Sequence, residues 1–147
     1  MNKSPLRKVK TLKLKPGKYY IGDPSEFVQW RIYEDFLSKY TNLSRAAHFQ
    51  NADGGMIVGD TGGDGLMLAS SGVKYPVNAG VLGVVSWELG AGTNANKMKM
   101  AKKTGSYHVF TEPVLVHYTG YSKSNMFPKF KFTSGSWSLT IDTEDEP

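Results

Sequence analysis

Apolar and polar positions alternate with the two-residue period of β-strands along most of this chain, and one stretch near the N-terminus breaks that rhythm. Val9, Thr11, Lys13 and Lys15 fall on one side of a short run, and Lys10, Leu12 and Leu14 on the other. This imperfect alternation predicts an edge strand. Pro16-Gly17 signals a turn. Lys18–Gly22 (KYYIG), rich in aromatic and β-branched residues, predicts a second strand, placed to pair with the first as a hairpin. The break follows. Asp23, Pro24 and Glu26 occupy the N-cap, N1 and N3 positions that a helix start favours, and Glu26 is spaced to close a capping box. The predicted helix runs to about Tyr40 and stops near Asn42. Phe27, Trp30, Tyr33, Phe36, Leu37 and Tyr40 form a stripe to bury against a sheet, while Arg31, Glu34, Asp35 and Lys39 stay wet.

The rest predicts β structure. Ala46–Gln50 is a weak strand. Gly55–Gly59 and Gly65–Ala69 are short apolar strands around a tight Asp60–Asp64 connection, read as a hairpin. Ser71-Gly72 turns the chain into Val73–Val77, which Pro76 interrupts. Val81–Leu89 is the most apolar run and the expected sheet centre. Ala91–Gly105 has no apolar period and is polar, basic and rich in small residues. It predicts a long exposed loop, unusual enough to suggest function. Tyr107–Thr111 and Val114–Thr119 are separated at Pro113. Phe130 and Phe132 alternate with Lys129 and Lys131, Ser134-Gly135 turns, and Trp137, Leu139 and Ile141 alternate with Ser138 and Thr140. The expected architecture is α+β. A bent, mostly antiparallel sheet or partial barrel carries one long amphipathic helix, in a single domain over residues 1–147. Residues 1–8 form a loose basic arm and 142–147 an acidic tail.

Composition narrows the classes. The length of 147 residues suffices for a core, and the hydrophobic fraction of 39% is ordinary for a globular protein. No apolar run is long enough to span a bilayer, and no apolar region follows the basic start as in a secretory signal. There is no cysteine, which excludes disulfides, thiolate zinc sites and cysteine nucleophiles and suits a reducing cytoplasm, the expected location. The formal charge of +5 is unevenly spread. Lys3, Arg7, Lys8, Lys10, Lys13, Lys15 and Lys18 precede the first acid, Asp23. A second cluster is Lys97, Lys99, Lys102 and Lys103, and Asp142, Glu144, Asp145 and Glu146 crowd the end. A wet surface is the plain account, and a positive face attracting phosphate is the sharper one.

Candidate chemistry is sparse. Asp23, Asp60, Asp64 and Asn78 stand at predicted strand ends and supply the hard oxygen ligands a cation needs, yet cap and turn roles account for the aspartates. Gly59–Gly63 offers backbone N–H groups for an anion nest, with Gly62 and Gly63 at its centre, but lacks the Gly-Lys-Ser/Thr of a phosphate loop. The lysine segment is the better anion candidate. His117-Tyr118-Thr119 matches one half of the paired H-x-T chemistry of two-histidine phosphoesterases. Neither His48-Phe49-Gln50 nor His108-Val109-Phe110 provides the second copy. Phe127, Phe130 and Phe132 interleave with Lys129 and Lys131 as on single-strand nucleic-acid platforms, although strand geometry sends rings and lysines to opposite faces.

Three motifs together resemble a family of small, largely uncharacterised proteins common in phage and bacterial genomes. They are Tyr19-Tyr20-Ile21-Gly22-Asp23-Pro24 before an aromatic helix, Gly63-Asp64-Gly65, and Val77-Asn78-Ala79-Gly80 before an apolar strand. The resemblance covers roughly residues 12–90. Asn78 departs from it, standing where the family pattern has aspartate; a cation held by that carboxylate would be lost or weakened here. The resemblance implies a compact, mostly β cytosolic protein, often phage-carried, and no established reaction. The expectation is a phage-type accessory protein that sequesters or blocks a host component, such as an anionic nucleotide signal of antiviral defence. Lys97, Lys99, Lys102 and Lys103, with Gly62 and Gly63, are expected to hold the anion without a cofactor or metal. One alternative is a phosphoesterase using His117 with Thr119, or a cation on Asp23 and Asp64. Another is a nucleic-acid-binding module. A host protein is a further candidate partner, and the basic arm and edge strand make a homo-oligomer plausible.

Overall fold

In the computed structural model, the residues described are 9–40, 48–50, 55–61, 63–78, 80–119 and 128–143. Strands β1 (Val9–Leu14) and β2 (Gly17–Gly22) lead to a 3₁₀ turn at Pro24–Glu26 and helix α1 (Trp30–Tyr40). Then come β3 (His48–Gln50), β4 (Met56–Asp60), β5 (Gly65–Ala69), β6 (Lys74–Val77) and β7 (Val81–Ser86). A second 3₁₀ turn, Trp87–Leu89, precedes helix α2 (Asn94–Thr104). The chain closes with β8 (Gly105–Phe110), β9 (Val114–Thr119), β10 (Lys129–Ser134) and β11 (Trp137–Asp142). The fold is thus α+β and mostly antiparallel.

Two open sheets stand in place of the expected single bent sheet or partial barrel. The outer sheet has six strands in the order β1-β9-β10-β11-β5-β6, and the middle sheet has five in the order β3-β4-β7-β2-β8. Alternation explains the layering. Tyr19, Ile21, Ile57, Leu82 and Val84 face the outer sheet, where they pack with Val116, Tyr118, Phe130, Phe132 and Ile141. Their neighbours Tyr20, Met56, Val58, Val81 and Val85 point the other way and pack with Phe27, Phe36, Trp87 and Ala101 of the helical layer. A strand covered on both sides reads as a continuous apolar run, which is why the Val81–Leu89 run marks the sheet centre as expected, although its strand ends at Ser86 and Trp87–Leu89 turns away. The outer sheet keeps one wet face: Phe130 and Phe132 are buried and Lys129 and Lys131 exposed.

Both N-terminal hairpin expectations fail, for one reason. β1 pairs with β9 in the outer sheet, while β2 pairs with β7 and β8 in the middle sheet. β4 pairs with β3 and β7, and β5 with β6 and β11. In each couple one strand is apolar on both faces and the other on one, so the chain crosses between sheets instead of turning back. Pro76 sits on the edge strand β6, where a missing N–H is tolerated.

The single long helix is also corrected. Asp23 caps as expected, its Oδ1 accepting from Ser25 N at 2.8 Å, but the turn ends at Phe27. Gln29 N donates to the Leu89 carbonyl and Ala91 N to the Phe27 carbonyl, both at 2.9 Å, and Val28 bridges Gly90. That pairing takes the backbone out of the helix until Trp30. Trp30, expected in the buried stripe, is 66% exposed, whereas Tyr33 and Phe36 are buried. Glu26 closes no capping box; its Oε2 accepts from Asn78 Nδ2 at 2.6 Å.

The expected loop at 91–105 is largely α2. Thr93 and Asn96 form a reciprocal capping box, with Asn96 N donating to Thr93 Oγ1 at 3.2 Å. Lysine, methionine and alanine then favour helix, while only Ala101 and Thr104 are buried, so the apolar period is faint. Among the described residues, no helix is long and apolar enough to cross a membrane.

Gly83 sits in the central strand where a Cβ would stand 2.6 Å from Val58 Cα and against the Ile57 carbonyl. Gly83→Ala is therefore expected to cost about 3 kcal/mol or more, because backbone atoms cannot yield. Gly63→Ala, whose Cβ meets open space, should stay within about 0.5 kcal/mol of the parent. Urea unfolding of both variants checks this, and equal losses would refute the packing account.

Candidate functional site

Strand β2 has a distinct polar arrangement at each end. At its start the chain crosses between sheets through Pro16, and the Tyr19 hydroxyl donates to the Lys15 carbonyl at 2.5 Å, fixing the crossing. Lys15 and Lys18 flank this point. Across from them β7 ends in the Trp87–Leu89 turn, and Trp87 Nε1 donates to Asn94 Oδ1 at 3.3 Å, tying that turn to the first residue of α2. These segments enclose a cleft of about 390 Å³ lined by Lys15, Lys18, Tyr19, Ser86, Trp87, Glu88, Asn94 and Lys97. Burial, and then the Glu88 charge, push the Tyr19 phenol above its ordinary value, so at neutral pH it is a donor and carries no negative charge.

Helix geometry sorts the expected lysines. Lys97 shares the i, i+4, i+7 row with Ala101 and Thr104, the buried residues of α2, and is itself half-buried at the cleft. Lys99, Lys102 and Lys103 are exposed and lie round the other side of the helix. Lys102 and Lys103 sit in the last turn, where positive charge complements the helix dipole. Gly62 lies outside the described residues. The Gly63 carbonyl accepts from Thr61 Oγ1 at 2.6 Å, and Gly63 belongs to the crossing from β4 to β5, not to the lysine cleft. Lys15, Lys18, Trp87, Glu88 and Asn94 were missed as site residues; the Thr93-x-x-Asn96 cap and the end of the apolar run at Ser86 are the local signals that point to this corner.

At the far end of β2, roughly 17 Å away at the usual strand rise, the three sequence motifs meet. Asp23 is fully buried. Its Oδ1 accepts from Ser25 N and Ser25 Oγ, at 2.8 and 2.7 Å, and its Oδ2 from Asn78 N at 2.6 Å. Thr61 N donates to the Gly80 carbonyl at 2.9 Å, and Asp64 lies beside Gly80. The Tyr20 hydroxyl lies 3.1 Å from the Asp23 carbonyl and 2.9 Å from Thr104 Oγ1. Burial, and then the Asp23 charge, push the Tyr33 phenol up to about 12. The Asp23 carboxylate accepts from backbone and hydroxyl donors, and Asn78 donates to both Asp23 and Glu26. A lock between segments accounts for this geometry. Among the described residues, no group of three or more His, Cys, Asp or Glu is placed to hold a metal ion.

Comparison with protein-family models, with curated proteins and with solved structures gives no match. The chemistry must be read from the geometry alone.

The three histidines fall on three different strands. His117 lies on β9, in register with Thr11 and Lys131 of the outer sheet. His108 lies on β8 of the middle sheet, and His48 on β3. The side chains of Thr119, His48 and Asp60, and all of Phe127, lie outside the described residues. His108 stacks on Phe110 and its Nε2 is 2.7 Å from Ser106 Oγ. Burial pushes its pKa down to about 4.

Two measurements follow from these contacts. Asp23→Ala leaves the Asn78 N–H without its acceptor and removes the cap, an expected loss of about 2–4 kcal/mol in denaturant unfolding. A loss under about 0.5 kcal/mol would contradict the lock. His108 titrates below the ordinary 6.5 in the folded protein. The unfolded chain therefore binds the proton first, and stability falls as pH drops from about 6.5 towards 4. His108→Asn should flatten this part of the stability–pH curve, and an unchanged slope would refute the assignment.

Proposed function

We propose that this protein is a non-catalytic binding protein whose lysine-rimmed cleft holds a phosphate-bearing anion of nucleotide size. The observation that carries this reading is the convergence of Lys15, Lys18 and Lys97 on one cleft beside Trp87. They come from the β1–β2 crossing, β2 and α2, so the positive charge is a product of the fold and not of one basic run. A volume of about 390 Å³ falls in the usual range for small-molecule sites. Lysine ammonium groups make adaptable contacts to phosphate, and the N-terminal end of α2 adds a favourable dipole. Glu88 at the exposed rim is an acceptor for hydroxyl or amino groups of the same ligand.

The wider reading is a phage-type accessory protein that sequesters or blocks a host component, with a nucleotide signal of antiviral defence as the ligand. It is supported by the resemblance of the YYIGDP, GDG and VNAG segments to phage-carried proteins. A second reading, a nucleic-acid surface, is favoured by the exposed Lys13, Lys129 and Lys131 on the wet face of the outer sheet. The phosphoesterase reading rests on His117 with Thr119 or on a cation at Asp23 and Asp64; His108 and His117 stand in different sheets, and among the described residues no group of three or more His, Cys, Asp or Glu is placed to hold a metal ion.

Isothermal titration against cyclic and linear nucleotides at low salt tests the proposal. Binding is expected to weaken about fivefold or more for each of Lys15→Ala, Lys18→Ala and Lys97→Ala, and to fall as salt rises. Lys99→Ala and Lys102→Ala should change it less than about twofold. Absence of binding to every nucleotide, or equal losses at the outer lysines, would overturn the assignment.

A further inference from the structure

A second cleft, of about 380 Å³, opens where the end of β8 meets the β10–β11 turn. Its lining differs in kind from the lysine cleft. It includes His108, Phe110, Glu112 and Trp137 and, among the described residues, no lysine or arginine, in a chain of formal charge +5. The His108 and Phe110 rings lie parallel, 5.4 Å apart and 8° from coplanar. Trp137 stands across both, 5.0 and 4.9 Å away and inclined by 57° and 56°. The three rings form a corner.

Glu112 is held at this corner. Its carbonyl accepts from Ser134 Oγ at 3.0 Å. Its carboxylate lies over the turn at Gly135, where a Cβ would stand 3.2 Å from Oε2. Gly135 has φ +59°, the left-handed region that glycine tolerates, so the turn lets the acid approach. His108 is oriented from behind. Its Nε2 meets Ser106 Oγ at 2.7 Å, and that oxygen meets the hydroxyl of buried Tyr75 at 2.7 Å. The imidazole is uncharged at neutral pH and does not repel a cation.

We propose that this cleft binds a small quaternary ammonium compound, with the cation against the His108 and Trp137 rings, which the buried Phe110 ring backs, and beside the Glu112 carboxylate. The faces of aromatic rings are electron-rich and attract such cations, and alkylated ammonium loses little hydration on leaving water. A single carboxylate supplies the counter-charge. The site is separate in residues and in charge from the lysine cleft, and it does not depend on what that cleft holds.

Choline and its uncharged carbon isostere, in which carbon replaces the nitrogen, give the test on the unmodified protein. The two share shape and differ in charge. Binding is read from the Trp137 indole resonance in proton–nitrogen correlation spectra. Choline is expected to shift that resonance saturably and to bind at least about fivefold more tightly than the isostere. Glu112→Gln, at an exposed position, should weaken choline at least about threefold and leave the isostere unchanged. The proposal is overturned if choline gives no saturable shift, if the isostere binds equally well, or if Glu112→Gln leaves choline binding intact.

Discussion

The central strands of the middle sheet are buried on both faces, and the rest of the molecule is arranged to cover them. Its central strands β4, β7 and β2 carry apolar side chains at successive positions, so neither face can meet water. The outer sheet closes one face with Val116, Tyr118, Phe130 and Phe132, and the two helices and their 3₁₀ turns close the other with Phe27, Phe36, Trp87 and Ala101. Close approach of β4 and β7 is possible because Gly83 has no side chain to separate them. This demand for double cover also sends β1 and β5 into the outer sheet, since each has one face fit for water.

The lysine cleft and the Asp23 contacts fall where the cover changes hands. β2 enters the middle sheet beside Lys15 and Lys18, and α2 begins against the same corner, so crossing and helix start bring lysines together with Trp87. At the other end of β2, Asp23 joins the first helical turn to the β6–β7 connection through Ser25 and Asn78. Asn78 also explains why amide suits this position. It donates to the Glu26 carboxylate at 2.6 Å, a contact that an aspartate would turn into like-charge repulsion. The polar motifs that dominate the sequence thus serve the architecture, and the positive cleft stands apart from them.

Much of the fold was legible because alternation reports which faces are covered. The Val81–Leu89 run announced a sheet centre, although its strand ends at Ser86, Phe130 and Phe132 against Lys129 and Lys131 announced a half-wet strand, and Asp23-Pro24 announced a helix start whose cap holds but whose turn ends at Phe27. Partner choice was not legible. Neighbouring strands differ in how many faces they bury, and that difference sorted β1 from β2 and β4 from β5. The break at Phe27–Gln29 depends on pairing with Leu89–Ala91, far along the chain. Helix α2 was hidden because lysines mask its small buried face. Of the lysines expected to hold an anion, Lys97 is the one that lines the cleft. Lys15 and Lys18 stand in the sequence as members of the basic run before Asp23, on the first two expected strands, and the crossing between sheets brings them to the cleft.

We propose that the fold gathers positive charge to hold an anion and does not transform it. Phosphorus NMR of a nucleotide kept with the protein through a long incubation tests this most directly. The account predicts resonances that shift and broaden with protein and then return unchanged in position and intensity once the protein is removed. New phosphorus resonances that persist after removal would show turnover and contradict it.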